Sequence, residues 1–135
     1  MAVMFFATFT FAQKMQDKNV PASVKSTFQR EYPTATKVKW YKEGDKYEAS
    51  FDHNNRNNSV LMDGKGNLVE TEVEIELTQL PKEVLEYVKT HYPGKQAKEG
   101  AKITDAKGMV TYEVEIEGVD VIFDSNGRFL EELKG

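Results

Sequence analysis

Four groups of residues in this 135-residue sequence have types and spacing that suit chemistry. The first is acidic. Glu70, Glu72, Glu74 and Glu76 alternate with Val69, Thr71, Val73, Ile75 and Leu77, and on a strand same-face neighbours stand about 6.5 to 7 Å apart. Together with Glu113, Glu115 and Glu117 of a second alternating run, they would line a sheet face able to hold Ca²⁺ weakly or to meet a basic peptide. The plainer reading is a solvated face that keeps the protein soluble and guards a sheet edge. The second group, Asp63-Gly64-Lys65-Gly66-Asn67, has the opening of a calcium loop. Its twelfth position falls on Glu74, inside the alternating run, so a tight turn is the better reading.

The third group is the two histidines. His91 ends a helical pattern before Tyr92-Pro93, where an imidazolium would suit the helix dipole. His53 stands in the polar stretch Asp52-His53-Asn54-Asn55-Arg56-Asn57-Asn58, which reads as a longer loop than its counterpart at Glu117-Gly118. Hydrolysis needs a nucleophile activated by His, or two carboxylates pinned at a set separation, and periodicity supplies neither. The fourth group is Trp40-Tyr41. On an alternating strand one of the two faces outward, which suits a protein anchor; the alternative is that Trp40 fills the core with Val38 while Tyr41 shields an edge. Candidate partner contacts are therefore Trp40, Tyr41, His53 and Arg56. No catalytic residue, metal ligand or cofactor is expected.

The elements that must position these residues come in two similar sets. Pro21 to Tyr32 has proline at a helix start and Val20, Val24 and Phe28 at helical spacing, and it stops at Pro33. Pro81 to His91 repeats this with Leu80, Val84 or Leu85, Val88 and Tyr92. After the first helix, Thr36 to Tyr41 and Tyr47 to Phe51 alternate around the turn Glu43-Gly44-Asp45-Lys46, a hairpin with one dry and one wet face. After the second, Ile103, the turn Asp105 to Gly108, Val110 to Glu117 and Val119 to Phe123 do the same. Asp63 to Gly66 and Asp124 to Gly127 place Asp first and Gly fourth, as in a type I turn followed by a glycine bulge. The expected fold is α+β: two tandem repeats, residues 20–77 and 78–135, each one helix followed by an antiparallel sheet of about four strands, in one compact unit.

Composition excludes several classes of function. No cysteine is present, which rules out thiolate catalysis, sulfur-ligated zinc, iron–sulfur clusters and disulfides. A net charge of −4 with scattered Lys and Arg argues against nucleic acid or an anionic bilayer as the main partner. The hydrophobic share of 39%, with eight Phe and six Tyr, is enough for a packed interior. Residues 1–12 form an uncharged apolar run, too short to span a bilayer. Its length suits the remnant of a secretory signal, with Thr10-Phe11-Ala12 before Gln13 as the cleavage site and 13–19 as a linker; a buried N-terminal strand is the alternative.

The paired helices ending in Tyr-Pro, the strands Tyr47 to Phe51 and Tyr112 to Ile116, and the Asp-x-x-Gly turns before an acidic strand resemble the PepSY-like proteins. These are secreted or periplasmic proteins of Bacteroidetes, also described as β-lactamase-inhibitor-like. The resemblance covers about residues 18 to 134. It implies a two-repeat α+β fold, a periplasmic or secreted location and no established enzymatic activity. The secreted β-lactamase inhibitors carry disulfides and this chain has none, so no inhibitory contact transfers. The expected function is a non-catalytic envelope module that binds a protein or peptide through its sheet. Inhibition of a secreted peptidase or hydrolase, and carriage of a small ligand or cation on the acidic face, are the alternatives.

Overall fold

The structure, a computed structural model, describes residues 12–134. The signal reading and its strand alternative fall on residues 1–12, of which 1–11 lie outside the described residues. Among the described residues the chain is an α+β fold of nine strands and two α-helices, divided between Glu72 and Val73 into two compact units.

In the first unit, β1 (Gln13–Met15) and a 3₁₀ turn (Asp17–Asn19) lead into α1 (Ala22–Glu31). Four strands follow: β2 (Thr36–Glu43), β3 (Lys46–His53), β4 (Arg56–Asp63) and β5 (Leu68–Ile75), which runs on into the second unit. The strand order is the chain order, and the β1–β2, β2–β3 and β3–β4 pairs are antiparallel. Pro21 is the N-cap of α1 and Tyr32 its C-cap. The next residue, Pro33, cannot continue the helix. Val24 and Phe28, four residues apart, bury one stripe of α1 against Trp40, Ala49, Phe51, Val60 and Met62. Phe28 meets Trp40 and Phe51 edge-on, at ring-centroid distances of 5.3 and 4.9 Å.

In the second unit a 3₁₀ turn (Leu77–Gln79) precedes α2 (Lys82–His91), then β6 (Ala97–Asp105), β7 (Val110–Ile116), β8 (Val119–Asp124) and β9 (Phe129–Lys134). The β6–β7, β7–β8 and β8–β9 pairs are antiparallel. Val84, rather than Leu85, joins Leu80 and Val88 against Val114, Ile116, Val121 and Phe123.

Two local expectations change. The stretch Asp52 to Asn58 is not a longer loop: β3 and β4 run through it and close on Asn54-Asn55, whose φ values are 53° and 62°. Asn tolerates this left-handed backbone, so two residues suffice, as they do at Glu117-Gly118. Asn58 Nδ2 steadies the hairpin by donating to the carbonyls of Arg56 (2.9 Å) and His53 (3.3 Å). Further along, β2 breaks register between Thr36 and Lys39, with Lys37 at φ 54°. Val38 is consequently 36% exposed and does not share the core with Trp40.

The turns that close β4–β5 and β8–β9 sit against the helix starts. In each, the Asp carboxylate accepts from backbone N–H groups two and four residues on, at 2.9 to 3.0 Å for Asp63 and 2.9 Å for Asp124. Gly66 has φ +84°, and a Cβ there would lie 2.6 Å from the Ser23 carbonyl oxygen and 2.7 Å from Thr27 Oγ1. Ser23 Oγ adds a hydrogen bond to the Gly64 carbonyl at 2.8 Å. At Gly127, also at φ +84°, a Cβ would lie 2.8 Å from Glu83 Cβ. Gly66→Ala is therefore expected to cost about 2 to 4 kcal/mol, from strained φ plus a collision with backbone. Gly94→Ala, at φ +79° with nothing within 4 Å, is expected to cost about 1 kcal/mol. Urea unfolding of both variants checks the order; equal losses would refute the close-approach argument.

Candidate functional site

Side chains two residues apart share a strand face, so the helix-facing residues of each unit define a second set facing away. In the first unit the register lines up Lys14, Tyr41, Glu48 and Leu61 on adjacent strands of that second face. This face is not the wet one that alternation predicts. Glu43, Ser59 and Leu61 are buried there, and Glu48 is only 5% exposed. On β5 the alternation does not separate a dry face from a wet one: Glu72 is 1% exposed, while Val69, Glu70, Val73, Glu74 and Ile75 are all half-buried. A solvated acidic face is therefore not what the strands present. In the second unit, Ala101, Glu113, Ile122 and Glu131 form one row, and Glu99, Glu115, Asp120 and Leu133 the next. Glu113, Asp120 and Ile122 are buried.

Burial of carboxylates beside carboxylates has a direct electrostatic result, since both desolvation and like charge favour the neutral acid. Burial pushes Glu48 up to about 8, with Glu43 and Glu70 adding to the shift. Asp120 is raised by burial and by Glu115, against an opposing hydrogen bond from Glu113. Glu99 is raised by burial and then by Glu115 and Glu74. Directly opposed like charges destabilise a strand pair, and Glu99, Glu115 and Asp120 are opposed across three strands. Protonated carboxyls can donate hydrogen bonds, and an approaching cation would draw the proton off. Among the described residues, no group of three or more His, Asp or Glu is arranged to hold a metal ion.

The four candidate contacts do not converge. Trp40 is 4% exposed in the core, so it is no exposed anchor. Its ring helps line a cleft of about 520 Å³ with Phe28, Tyr32 and Val38, beside the Asp17–Lys25 ion pair. Tyr41 is half-buried on the opposite strand face, next to Glu48. His53 and Arg56 are paired across the β3–β4 turn, where the His53 ring meets Tyr32 edge-on at 5.6 Å. His91, the other histidine, stacks on Tyr87 at 3.8 Å, and its Nδ1 lies 3.1 Å from the Tyr87 carbonyl. Sequence reasoning missed Glu43, Glu48, Glu99 and Asp120. The one signal for Glu48 was its place in the alternating strand Tyr47 to Phe51; its acidic company comes from other strands.

A family model described as "Putative beta-lactamase-inhibitor-like, PepSY-like" matches residues 10–70 and again 45–131. Among solved structures, a protein described as periplasmic from Bacteroides eggerthii aligns with a TM-score of 0.77 at 16% identity, over 85% of this chain and 88% of that one. A DUF2874 family protein from Bacteroides uniformis aligns at 0.74 and 21% identity, over 84% and 88%. A BLIP-like protein from Bacteroides fragilis aligns at 0.68 and 25% identity, over 84% and 86%. No curated protein matches the chain. None of these descriptions names an enzyme.

The raised Glu48 carboxyl sets the sign of a pH effect. Between its ordinary value of 4.5 and about 8, folded Glu48 keeps a proton that the unfolded chain has released. Its contribution to stability is complete below about 4.5 and is lost as pH rises through about 8. Thermal unfolding is thus expected at lower temperature at pH 8.5 than at pH 5.5. Glu48→Gln should raise the midpoint at pH 8.5 by about 5 °C and flatten the profile; an unchanged profile would exclude a buried acid at this position.

Proposed function

The chain belongs to the PepSY-like family, and on that footing we propose that it is a non-catalytic binding module of the bacterial envelope that recognises a protein or peptide through its sheet. The observation that carries this reading is the burial of acidic side chains on the strand face away from each unit's own helix, Glu43 and Glu48 in one unit and Glu113 and Asp120 in the other. Desolvated carboxylates held beside like charge are a recurrent mark of functional surfaces, and a partner carrying basic groups would offset the repulsion. Tyr41, beside Glu48, supplies the aromatic contact and is backed by the core around Trp40. His53 and Arg56 form a separate contact at the hairpin end. A location in the periplasm fits the name carried by the Bacteroides eggerthii relative, and it requires an N-terminal signal removed near Ala12 and Gln13.

The two units read as tandem copies of one helix followed by four strands. Pro21 and Pro81 cap the helix starts, Tyr32 and Tyr92 the ends, and Gly66 and Gly127 close the turns that meet them. A second reading, a regulator that blocks a secreted peptidase or hydrolase, is favoured by the family's inhibitor-like description and by the BLIP-like name of the Bacteroides fragilis relative.

Capture from Bacteroides envelope extract on the immobilised protein tests the first reading. Tyr41→Ala is expected to lower recovery of the partner at least about tenfold, as loss of an aromatic anchor does, with the fold intact. Trp40→Ala should instead cost about 3 to 5 kcal/mol of stability. Undiminished recovery with Tyr41→Ala would remove the sheet face from the interface. CaCl₂ should leave the melting temperature unchanged; a rise of several degrees that Glu72→Gln and Glu74→Gln abolish would replace this reading with a cation carrier.

A further inference from the structure

Strand β9 closes the strand order, and among the described residues β8 is its one strand neighbour. Its outer side is therefore a row of main-chain N–H and C=O groups available to another strand. We propose that this edge accepts an extended partner segment by strand addition, and that the segment is basic, with Lys or Arg at alternate positions. The proposal deepens the binding-module reading and rests on it, naming the chemistry of the partner.

The edge is held ready. Phe129 stacks on Tyr87 at 5.1 Å with the rings 8° from parallel, and Tyr92 Oη donates to Glu132 Oε2 at 2.7 Å. These contacts fasten β9 to α2, so an added strand meets a template that is already ordered, which lowers the entropic cost of binding. A register shift leaves Leu130 as an extra residue, 51% exposed, and Glu131 to Lys134 as the regular part of the edge.

The charge pattern selects the occupant. Antiparallel pairing of β9 with the same strand of a second copy, in any register centred on the strand, sets Glu131 or Glu132 against a glutamate of the other chain. Like charges directly opposite destabilise such a pair, so a second copy is disfavoured. A strand added outside β9 would extend the row Glu113–Ile122–Glu131 and, two positions along, the row Glu115–Asp120–Leu133. Both rows lie on one face; the first presents exposed Glu131 at the edge, and the second ends on Leu133 with Asp120 and Glu115 behind it, within reach of a long basic side chain laid inward. The incoming strand would therefore place basic side chains on that face at every second residue, and its other side chains beside exposed Phe129.

The probe is an end-capped Val-Lys-Val-Lys-Val-Lys peptide, with Val-Glu-Val-Glu-Val-Glu as its control, read by amide NMR and hydrogen exchange on the full chain. The basic peptide should protect amides within Glu131 to Lys134, and the acidic one should not. Glu131→Lys is expected to weaken the basic peptide about tenfold, and the milder Glu131→Gln to weaken it less; Glu131 is exposed, so the melting temperature should hold. Protection confined to other strands, equal response to both peptides, or unchanged affinity in Glu131→Lys would overturn the proposal. If Tyr41→Ala still lowers capture of the envelope partner in that event, the binding-module reading stands and the edge alone falls.

Discussion

The closeness of a turn to a helix start governs the rest of this structure. With Gly66 against the Ser23 carbonyl and Thr27 Oγ1, the β4–β5 turn cannot slide along α1. Because side chains alternate, a one-residue slip would exchange the two faces of every strand it touched. The anchored turn therefore decides that Ala49, Phe51, Val60 and Met62 meet the helix, and with them Trp40. Everything else follows by parity. Tyr41, Glu48 and Leu61 face the other way, so the location of the acidic side chains is a by-product of how the core is registered. Gly127 at Glu83 makes the same arrangement in the second unit.

The second faces are more than solubilising surface. A carboxylate in water gains its full hydration, and one buried among carboxylates loses that and meets repulsion as well. The fold tolerates this by leaving some of these acids neutral in the physiological range, as Glu48 shows. Stability and the charge state of these buried acids are then linked, since conditions that ionise them also weaken the strands that carry them.

Much of the architecture was legible. Pro21 and Pro33, on either side of Val24 and Phe28, mark out a helix by spacing alone, and the Asp-x-x-Gly turns were readable because their hydrogen bonds are local. What could not be read was anything that depends on neighbours far away in sequence. Glu48 lies in an ordinary alternating strand, and only its approach to Glu43 and Glu70 makes it unusual. Alternation on β5 does not reveal that Glu72 is buried while Glu70 and Glu74 are only half-covered, because a strand cannot show which of its positions the rest of the protein covers. The Trp40-Tyr41 pair was split correctly into one inward and one outward ring, and the choice between them needed the register with Ala49 and Glu48. Asn54-Asn55 misled for a different reason: polar composition suggests a loop, whereas the left-handed backbone that asparagine tolerates makes the tightest of hairpins.

Trp40 is the chain's single tryptophan, and it sits wholly within the first unit's core, edge-on to Phe28. Its fluorescence is thus an optical label for that unit, while far-ultraviolet dichroism senses the helices and strands of both. Whether the two signals change together on heating is the standard criterion for an all-or-none transition. A buried side chain with no outward role thereby gives the molecule an internal gauge of whether its halves melt as one body or in turn.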